Sequence, residues 1–542
     1  MRRRTVALAM ALVLLAACTK VSTSESGGGR NAFTHAHELR LASIQDVTTL
    51  NQLLASDLVL AWLSQLTAAY LLRYDGANQP TPELALAVPS LSNGGVGKDR
   101  KTVTYHLRKG VKWSDGAPFT AADVVFTTHL ILDPKTNVVS RDGWDRIVKV
   151  EAPDAYTVVF HLREPYSPFL ATFFASGGDA PILPRHLLEH SANVNTDPYN
   201  SLPVGIGPFK YVRWLRADRI ELASNPLYWR GSPKLEKIVY RIIPNRDTIL
   251  AALQTGDVDM WPIAAFAYVP RFQALEGFKV LRVPSYGFGH IDFNVTHPAV
   301  SDPAVRRALL LAFDRRAQLA KVSHGIGILQ DAIVSPASPF HDANLGFTEY
   351  DVGKANALLD AAGWKRGADG IRQKNGTKLN LELVSNAGSP DTDTRIELIR
   401  ESWKKIGVSF VRKNVDPSLL LAPYANGGII QTGRFDAVFF AWYLGPSGDM
   451  SNIYGCDQVP PKGQNDLRWC NPRAEAAMRD FKAAYDPARQ RRDDAVVQEE
   501  LVRDVPTIVS AVYQDVYVYN SDLQNFHPNQ VSMFDSMMDV DI

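Results

Sequence analysis

The sequence predicts a mixed α/β fold with more than one domain. Three observations support this: the chain has 542 residues, strand-like and helix-like segments alternate along most of it, and one stretch contains a strand, a helix and a strand in close succession. In that stretch, residues 237–243 have an apolar strand pattern, and residues 247–255 have a helix pattern that Gly256 ends. A second strand starts at Val258, an order typical of a parallel β-α-β unit.

The amino-terminal part of the chain predicts two further strands and a helix. Residues 102–108 and residues 156–162 have the alternating apolar pattern of half-buried strands. Between them, Thr120 and Asp123 stand three positions apart before an apolar run. This spacing is that of a capping box, in which a hydroxyl and a carboxylate cover the free amides of a helix start.

The carboxy-terminal part predicts mainly helices. Asp302 and Pro303 fit the N-cap and first turn of a long helix, whose apolar residues recur on one face as far as Phe313. Its arginines, Arg306 and Arg315 among them, fit a solvated face. Further helix patterns cover residues 351–362, 394–406 and 490–503, and strand patterns cover residues 435–443 and 507–519.

The first residues predict export. Three arginines at residues 2–4 precede a mostly apolar run over residues 5–17, which is too short for the roughly 20 residues of a membrane span. It fits a secretory signal peptide, so we expect residues 1–17 to be removed. The run ends in residues 15–18 (LAAC), which resemble the lipobox of bacterial lipoproteins, and Cys18 would receive the lipid. An ordinary signal peptide that contains a cysteine is the alternative.

The segment that follows is small, polar and rich in Gly and Ser, so we expect residues 18–30 to be a lipidated flexible tether. Without residues 1–17, the 58 basic residues fall by three arginines to 55, against 57 acidic ones. This nearly neutral balance argues against a nucleic acid partner, which would favour a basic face.

Cysteine usage points to one disulfide. With Cys18 lipidated, Cys456 and Cys470 remain as an even pair in an oxidising compartment, where a bridge is the usual outcome. Such a bridge would close a short loop and contribute on the order of 3 kcal/mol locally. Two free buried thiols are the alternative.

The chain shows no catalytic or metal-binding motif. It contains neither a Gly-x-Ser-x-Gly elbow nor a His-Glu-x-x-His helix, and its 12 histidines are scattered. Asp257 and Asp259 look like a carboxylate pair for acid/base chemistry, and a turn-capping role is the alternative. We therefore expect a binding protein without catalytic residues, resident metal or cofactor.

Four blocks of sequence, in order along nearly the whole mature chain, carry a resemblance to a known family. The blocks are residues 105–116 (YHLRKGVKWSDG) with 119–124 (FTAADV), residues 205–211 (GIGPFKY) with 225–231 (NPLYWRG) and 254–259 (QTGDVD), residues 302–308 (DPAVRRA) with 312–315 (AFDR), and residues 358–364 (LLDAAGW). In these blocks the chain resembles the bacterial extracellular solute-binding proteins of family 5, which include dipeptide-, oligopeptide- and nickel-binding lipoproteins of ABC importers.

The resemblance implies a two-lobed periplasmic-binding-protein fold of type II, cluster C, with an extra inserted subdomain. Two crossing strands, around residues 287–294 and 505–511, would join the lobes. Lobe I would hold residues 31–72, 205–288 and 510–542, the inserted subdomain residues 73–204, and lobe II residues 289–509.

The resemblance also implies the binding component of an ABC importer. Such a protein captures a solute as its lobes close about a hinge and delivers it to a membrane permease. It would be a monomer, lipid-anchored on the periplasmic or extracellular side. A peptide is the expected solute. An oligosaccharide or a metal complex remains an alternative cargo, and a peptide-sensing receptor that signals instead of importing remains an alternative role.

Residues 441–452 resemble the segment that supplies the aspartate for the peptide amino terminus in dipeptide and oligopeptide binders. Gly445 stands at the usual aspartate position, Asp449 follows a few residues later, and residues 385–388 offer no arginine for a peptide carboxylate. Strand alternation sends consecutive side chains to opposite faces, so we expect either the aromatic residue at 442 or that at 443 near the cleft. The candidate ligand-binding residues are Trp442, Tyr443, Asp449, Asn452, Tyr286, Asn294 and Asn386.

Overall fold

The computed structural model describes residues 30–55, 57–141, 143–177, 180–534 and 537–542. The predicted signal peptide, Cys18 and the predicted tether as far as residue 29 lie outside the described residues. The helices are α1 (Leu58–Thr67), α2 (Ala121–Leu132), α3 (Phe169–Thr172), α4 (Arg185–Leu188), α5 (Arg246–Gln254), α6 (Val269–Gln273), α7 (Pro303–Leu311), α8 (Arg315–Ser323), α9 (Val352–Ala361), α10 (Pro390–Lys404), α11 (Pro417–Leu420), α12 (Ile429–Thr432), α13 (Ser451–Tyr454), α14 (Pro472–Ala483) and α15 (Pro487–Asp504).

The strands alternate with these helices, as the sequence pattern predicts. They are β1 (Glu38–Ser43), β2 (Leu72–Tyr74), β3 (Pro80–Pro82), β4 (Thr102–His106), β5 (Ile147–Asp154), β6 (Thr157–Leu162), β7 (Phe209–Leu215), β8 (Arg219–Ser224), β9 (Lys237–Ile242), β10 (Met260–Trp261), β11 (Phe278–Phe293), β12 (Lys365–Arg366), β13 (Arg372–Lys374), β14 (Thr377–Lys378), β15 (Asn380–Asn386), β16 (Ser409–Val415), β17 (Ala437–Tyr443) and β18 (Thr507–Asn520).

One continuous ten-stranded sheet forms the frame of the molecule, in the order β16-β15-β17-β11-β18-β10-β1-β9-β8-β7. Both β9 and β10 run parallel to β1, which lies between them. The predicted β-α-β unit is therefore present, with the amino-terminal strand inserted between its two strands. The partners of β1 are about 200 residues away in the sequence, so the local pattern could not predict the position of β1 in the sheet.

The two longest strands run through the centre of this sheet. β11 has 16 residues and β18 has 14, and they pair antiparallel from Phe278 opposite Asn520 to Asp292 opposite Thr507. β18 also pairs with β10, and β11 also pairs with β17. These two strands are thus the connection between the two halves of the sheet.

Hydrophobic cores divide the molecule into three bodies. We call lobe I the part that packs on β10-β1-β9-β8-β7, around residues such as Ile238 and Trp261. The inserted subdomain packs around the separate sheet β4-β6-β5, and lobe II packs around β16-β15-β17 with Trp403 at its centre. The residue boundaries given above for these bodies stay predictions.

Side-chain caps set the helix starts that the sequence predicts. Asp123 accepts a hydrogen bond from the Thr120 amide at 2.9 Å, which completes the capping box of α2. Asp302 caps α7. The expectation of one long helix from this point was wrong, because the Asp314 carboxylate accepts from the Ala317 amide and starts a second helix, α8.

The expectation that the arginines of this region are solvated was also wrong for two of them. Arg306 is 3% exposed and donates to the backbone carbonyls of Val300 and Val505. Arg315 is 1% exposed, binds Asp331 at 2.6 Å and donates to the Val509 carbonyl. Both guanidinium groups donate hydrogen bonds to backbone carbonyls that lie just after α15 or near the start of β18. They therefore hold β18, the return crossing strand, against lobe II.

The acidic pair at residues 257 and 259 is structural. Asp259 is fully buried and receives a bidentate ion pair from Arg40, with Nε–Oδ2 at 2.8 Å and Nη2–Oδ1 at 2.9 Å. Asp257 is exposed and accepts from the Thr255 hydroxyl. Elsewhere, Cys456 and Cys470 form the predicted disulfide.

We predict that Asp259→Asn lowers the free energy of unfolding by about 3–5 kcal/mol, because it leaves the Arg40 charge buried without its partner. Urea unfolding followed by circular dichroism measures this change. Asp257→Asn is the matched control, since it removes the same charge two residues away at an exposed position, and should stay within about 0.5 kcal/mol. Equal effects of the two substitutions would contradict the structural assignment.

Candidate ligand-binding site

The crossing strands form the floor of a cleft between the lobes. Their ladder is interrupted twice, between Pro284 and Phe288 and between Gly289 and His290. Such interruptions bend a strand and re-aim its side chains. The irregular segment lies where the strands leave one lobe and enter the other.

Two glycines in this segment make room for aromatic side chains. A Cβ atom on Gly287 would lie 2.6 Å from the ring of Tyr443, and one on Gly289 would lie 2.7 Å from the hydroxyl of Tyr513. Because such distances exclude any side chain, both tyrosine rings pack directly on the floor strand. Tyr443 remains 64% exposed, so one of its faces is open to solvent.

Asp515 is the acidic group of this floor. It is half-buried on β18 and accepts a hydrogen bond from the Ser285 hydroxyl. Burial raises the pKa of Asp515 to about 6, and the Ser285 hydrogen bond offsets only part of this rise. Its charge also acts on the nearby Tyr443. A cationic group that entered the cleft would stabilise the ionised form of this carboxyl group.

A buried arginine lies beside the same floor. Arg395, on α10, stacks 4.7 Å over the ring of Phe439 and hydrogen-bonds Tyr513. Burial lowers the pKa of its guanidinium, and the interaction with Tyr513 works in the opposite direction. The floor therefore combines the acidic Asp515, the basic Arg395 and the exposed ring face of Tyr443 within one small region.

The loop after β17 forms the second part of the site. Residues 445–452 project from lobe II towards the inserted subdomain. Asp449 and Asn452 line a cavity of 250 Å³ whose opposite wall contains Trp144 and Phe173. Ser447 faces both this cavity and a second one of 230 Å³. The loop thus separates two cavities that lie between lobe II and the subdomain.

The facing surfaces of lobe II and the subdomain are in direct contact. Ser167 of the subdomain donates from its amide to the Lys482 carbonyl at 2.8 Å and receives a hydrogen bond from Gln490 at 2.9 Å. Asn78 donates to the Ala337 carbonyl at 2.8 Å. These hydrogen bonds join residues more than 250 positions apart that belong to the subdomain and to lobe II. They therefore exist only while the subdomain and lobe II are in contact.

Three of the seven candidate residues lie at these surfaces, and Trp442 and Asn386 lie elsewhere in lobe II. Tyr443 is on the cleft floor, and Asp449 and Asn452 line the interlobe cavity. Trp442 points to the opposite face of β17 from Tyr443, as strand alternation predicts, and lines a separate cavity within lobe II. Asn386 is half-exposed at the end of β15, and its side chain accepts from the Thr392 hydroxyl at 3.4 Å.

The other two candidates are buried. Asn294 is 3% exposed, donates to the Gly433 carbonyl at 2.9 Å and accepts from the Thr296 hydroxyl at 2.7 Å. Both ends of its amide are used within lobe II, so we leave it out of the proposed site. Tyr286 is 7% exposed beneath the floor, and burial raises the pKa of its hydroxyl.

Sequence reasoning missed Asp515, Arg395, Tyr513, Trp144 and Phe173. Asp515 is a lone acid in the aromatic strand pattern of residues 507–519, and that exception to the pattern was a usable signal. Trp144 and Phe173 carried no signal, because only the packing of the subdomain against lobe II turns them towards the cavity.

The described residues add two general findings. Their His, Cys, Asp and Glu side chains do not gather in groups of three that could hold a metal ion. None of the helices given above has the length and apolarity that crossing a bilayer requires.

Comparison with known proteins identifies the family. The model of the bacterial extracellular solute-binding proteins, family 5 Middle, matches residues 79–462. The chain belongs to this family. This match confirms the predicted resemblance. Family 5 consists of solute-binding proteins of transporters and is not an enzyme family.

Relatives of family 5 match the chain over almost its whole length. The oligopeptide-binding protein AppA of Bacillus subtilis (strain 168) is 28% identical over 520 residues, which are 93% of each chain. The structure of AppA from Bacillus subtilis in complex with a nonapeptide is 25% identical with a TM-score of 0.73, and covers 93% of this chain and 98% of that one. NikZ from Campylobacter jejuni in complex with Ni(L-His), 23% identical with a TM-score of 0.75 over 93% and 99%, shares the fold. The two-lobed family 5 fold is thus confirmed.

We predict a pH dependence from Asp515. The pKa of Asp515 is raised in the folded protein, so its contribution to the stability of the wild type falls as the pH rises from about 4 to about 6. The uncharged Asp515→Asn variant lacks this contribution. The melting temperature of the variant minus that of the wild type should therefore increase over this range and stay constant above pH 7. Thermal unfolding at several pH values measures it, and a difference that is independent of pH would contradict the buried position of the carboxyl group.

Proposed function

We propose that this chain is the substrate-binding component of an ABC importer and that its cargo is a peptide. The observation that carries the proposal is the cleft itself. Asp449 and Asn452 of lobe II face aromatic residues of the subdomain across the interlobe cavity. Tyr443 lies on the floor strand with one face open to solvent. The likeness to AppA supports peptide as the cargo, since that protein binds oligopeptides and its structure holds a nonapeptide.

In this proposal, the peptide amino group binds at Asp515 and the peptide backbone packs on the open face of Tyr443. A cation next to a half-buried carboxyl group favours the ionised form, so the interaction is charge-assisted. Arg395 and Tyr513 offer donors for the peptide carbonyl groups or carboxylate. Asp515 would thereby take the role that Gly445 cannot fill.

Closure supplies the signal to the permease. A peptide touches both lobes only when they close. The interlobe hydrogen bonds of Ser167, Gln490 and Asn78 likewise stabilise only the closed form. Binding energy that exists only in the closed form shifts the population towards it. The permease would then recognise the closed arrangement of the lobes.

Location follows from the first residues. We infer that residues 1–17 direct export, that Cys18 carries a lipid, and that the tether holds a monomeric body near the permease. The export-type amino terminus and membership of an extracellular solute-binding family support this inference.

Peptide binding is tested by isothermal titration with peptides of two to nine residues, together with mass spectrometry of ligands that co-purify with the native protein. We expect Tyr443→Ala to weaken peptide binding about tenfold, since aromatic contacts contribute about 1 kcal/mol or more each. Tyr424→Ala is the matched control, because Tyr424 is an exposed tyrosine of lobe II outside the cleft.

Two results would overturn the peptide proposal. The first is that no peptide of any length stabilises the protein while an oligosaccharide or a metal complex does. The second is that Tyr443→Ala and Tyr424→Ala affect peptide binding equally. Membership of family 5 would stand in either case.

Lipid anchoring is tested by fractionation of expressing bacteria. Wild type should be recovered with membranes, and Cys18→Ser should move to the soluble exported fraction because a single residue carries the lipid. Cys470→Ser, which also removes one thiol, should stay with membranes. Membrane recovery of Cys18→Ser would contradict the lipobox assignment.

A further inference from the structure

Lobe II contains a cavity of 240 Å³ on the sheet face opposite to Tyr443, which we call the acid pocket. The strands β11 and β17 form its base, and α11 to α13 with the loop before α14 form its walls. Its lining residues are His290, Asp292, Leu421, Ile430, Gln431, Phe440, Trp442, Ile453, Tyr454, Gln464 and Asp466. Two carboxyl groups and one imidazole at the bottom of a largely apolar cavity require an explanation.

His290 is oriented by its neighbours. It is 2% exposed, and its Nδ1 lies 2.8 Å from an oxygen of Asp292, which is itself 1% exposed. In the neutral tautomer that donates Nδ1–H to Asp292, Nε2 is a hydrogen-bond acceptor. Nε2 is buried and has no hydrogen-bond partner among the described residues.

Asp466 presents a second acceptor in the same pocket. It is 3% exposed, and its Oδ2 is buried without a hydrogen-bond partner among the described residues. Burial raises the pKa of Asp466 well above its ordinary value, and the charge of Asp292 raises it further. The Arg468 charge offsets only part of this rise. Its guanidinium donates to the backbone carbonyls of Gln431 and Asp466.

Two unsatisfied acceptors in one cavity are costly. A buried polar atom without a partner costs about 1–3 kcal/mol, and more when the group is charged. By contrast, the buried carboxylate of Asp259 is paired with Arg40. A bound molecule with a positively charged donor would satisfy both atoms.

The walls decide what kind of cation fits. Phe440 and Trp442 stand edge to face with ring centroids 5.8 Å apart, and Ile430, Ile453 and Leu421 complete an apolar rim. Such walls favour an apolar stem with a charged end over a hydrated ion, and aromatic faces add cation–π attraction. An alkylammonium or guanidinium group matches both the acidic bottom and the apolar sides.

We propose that the acid pocket binds an ammonium or guanidinium group on an apolar stem, and that it thereby selects ligands with a basic side chain. The pocket lies next to the interlobe cavity, since Asn452 of α13 lines that cavity and Ile453, the next residue of the same helix, lines the pocket. A peptide in the cleft can thus place one lysine or arginine side chain in it. This step rests on the proposed function.

The experiment uses the full folded chain and a set of alanine nonapeptides in which one lysine is moved through the nine positions. Each is compared by isothermal titration with the same peptide containing norleucine, which keeps the stem and removes the charge. We expect one position at which lysine binds at least about tenfold more tightly, since hydrogen bonds to charged groups contribute about 1.5–3 kcal/mol. Cadaverine and agmatine, added alone, show whether a free cation also binds.

Asp466→Asn should abolish the lysine preference, so that the lysine and norleucine peptides bind this variant equally. Asp457→Asn is the matched control: it removes the same charge from the same disulfide loop, but Asp457 is exposed and does not line the pocket. Its lysine preference should equal that of wild type. Because Oδ2 of Asp466 has no partner among the described residues, Asp466→Asn should not lower the melting temperature, which separates a binding role from a structural one.

The outcomes are distinct. A lysine preference that persists in Asp466→Asn, or no preference at any position with no binding of the free cations, would overturn the pocket assignment while peptide binding stands. Binding of Ni²⁺ or Zn²⁺ alone that depends on Asp466, without binding of organic cations, would also overturn it. Binding of cadaverine or agmatine that depends on Asp466, without binding of any peptide, would support the pocket and refute the peptide cargo.

Discussion

The antiparallel pairing of β11 with β18 is the interaction on which the rest of the structure depends. It carries the chain from lobe I to lobe II and back, and it joins residues such as Lys279 and Tyr519 that are far apart in sequence. Both strands also pair outward, to β17 and β10, so each lobe is built on one edge of the same central pair. Where their ladder is interrupted, the backbone bends and the cleft opens above it.

The buried charges fall into two groups. In the first, every charge has a protein partner: Arg40 pairs with Asp259, and Arg315 pairs with Asp331 and donates to nearby carbonyls. These groups hold lobe I and the return strand in place. In the second, Asp515 and Asp466 are buried with raised pKa values. Acidic groups with raised pKa values and incomplete partners are expected where a ligand completes a site.

The two faces of β17 give the lobe II side of the site two different surfaces. Tyr443 opens onto the cleft floor, and Trp442 covers the acid pocket. The loop that follows connects both surfaces to the subdomain through Asp449 and Asn452. A ligand that reaches all of these groups requires the lobes to be in contact, which links recognition to closure.

Local chemistry by itself determined a large part of this protein. Caps such as the Thr120–Asp123 box, the glycines that end helices, and the period of the apolar residues depend on neighbours within a few positions, so most strands and helices and the family blocks could be predicted. The disulfide partners could also be predicted, because only two cysteines remained. Only the tertiary structure decided where charges and cavities lie: that Arg306 and Arg315 are buried, that Asn294 is used internally, and that His290, Asp292 and Asp466 meet. Their surroundings are formed by segments more than 100 residues apart, and no local pattern records which distant backbone or side chain will face a given residue.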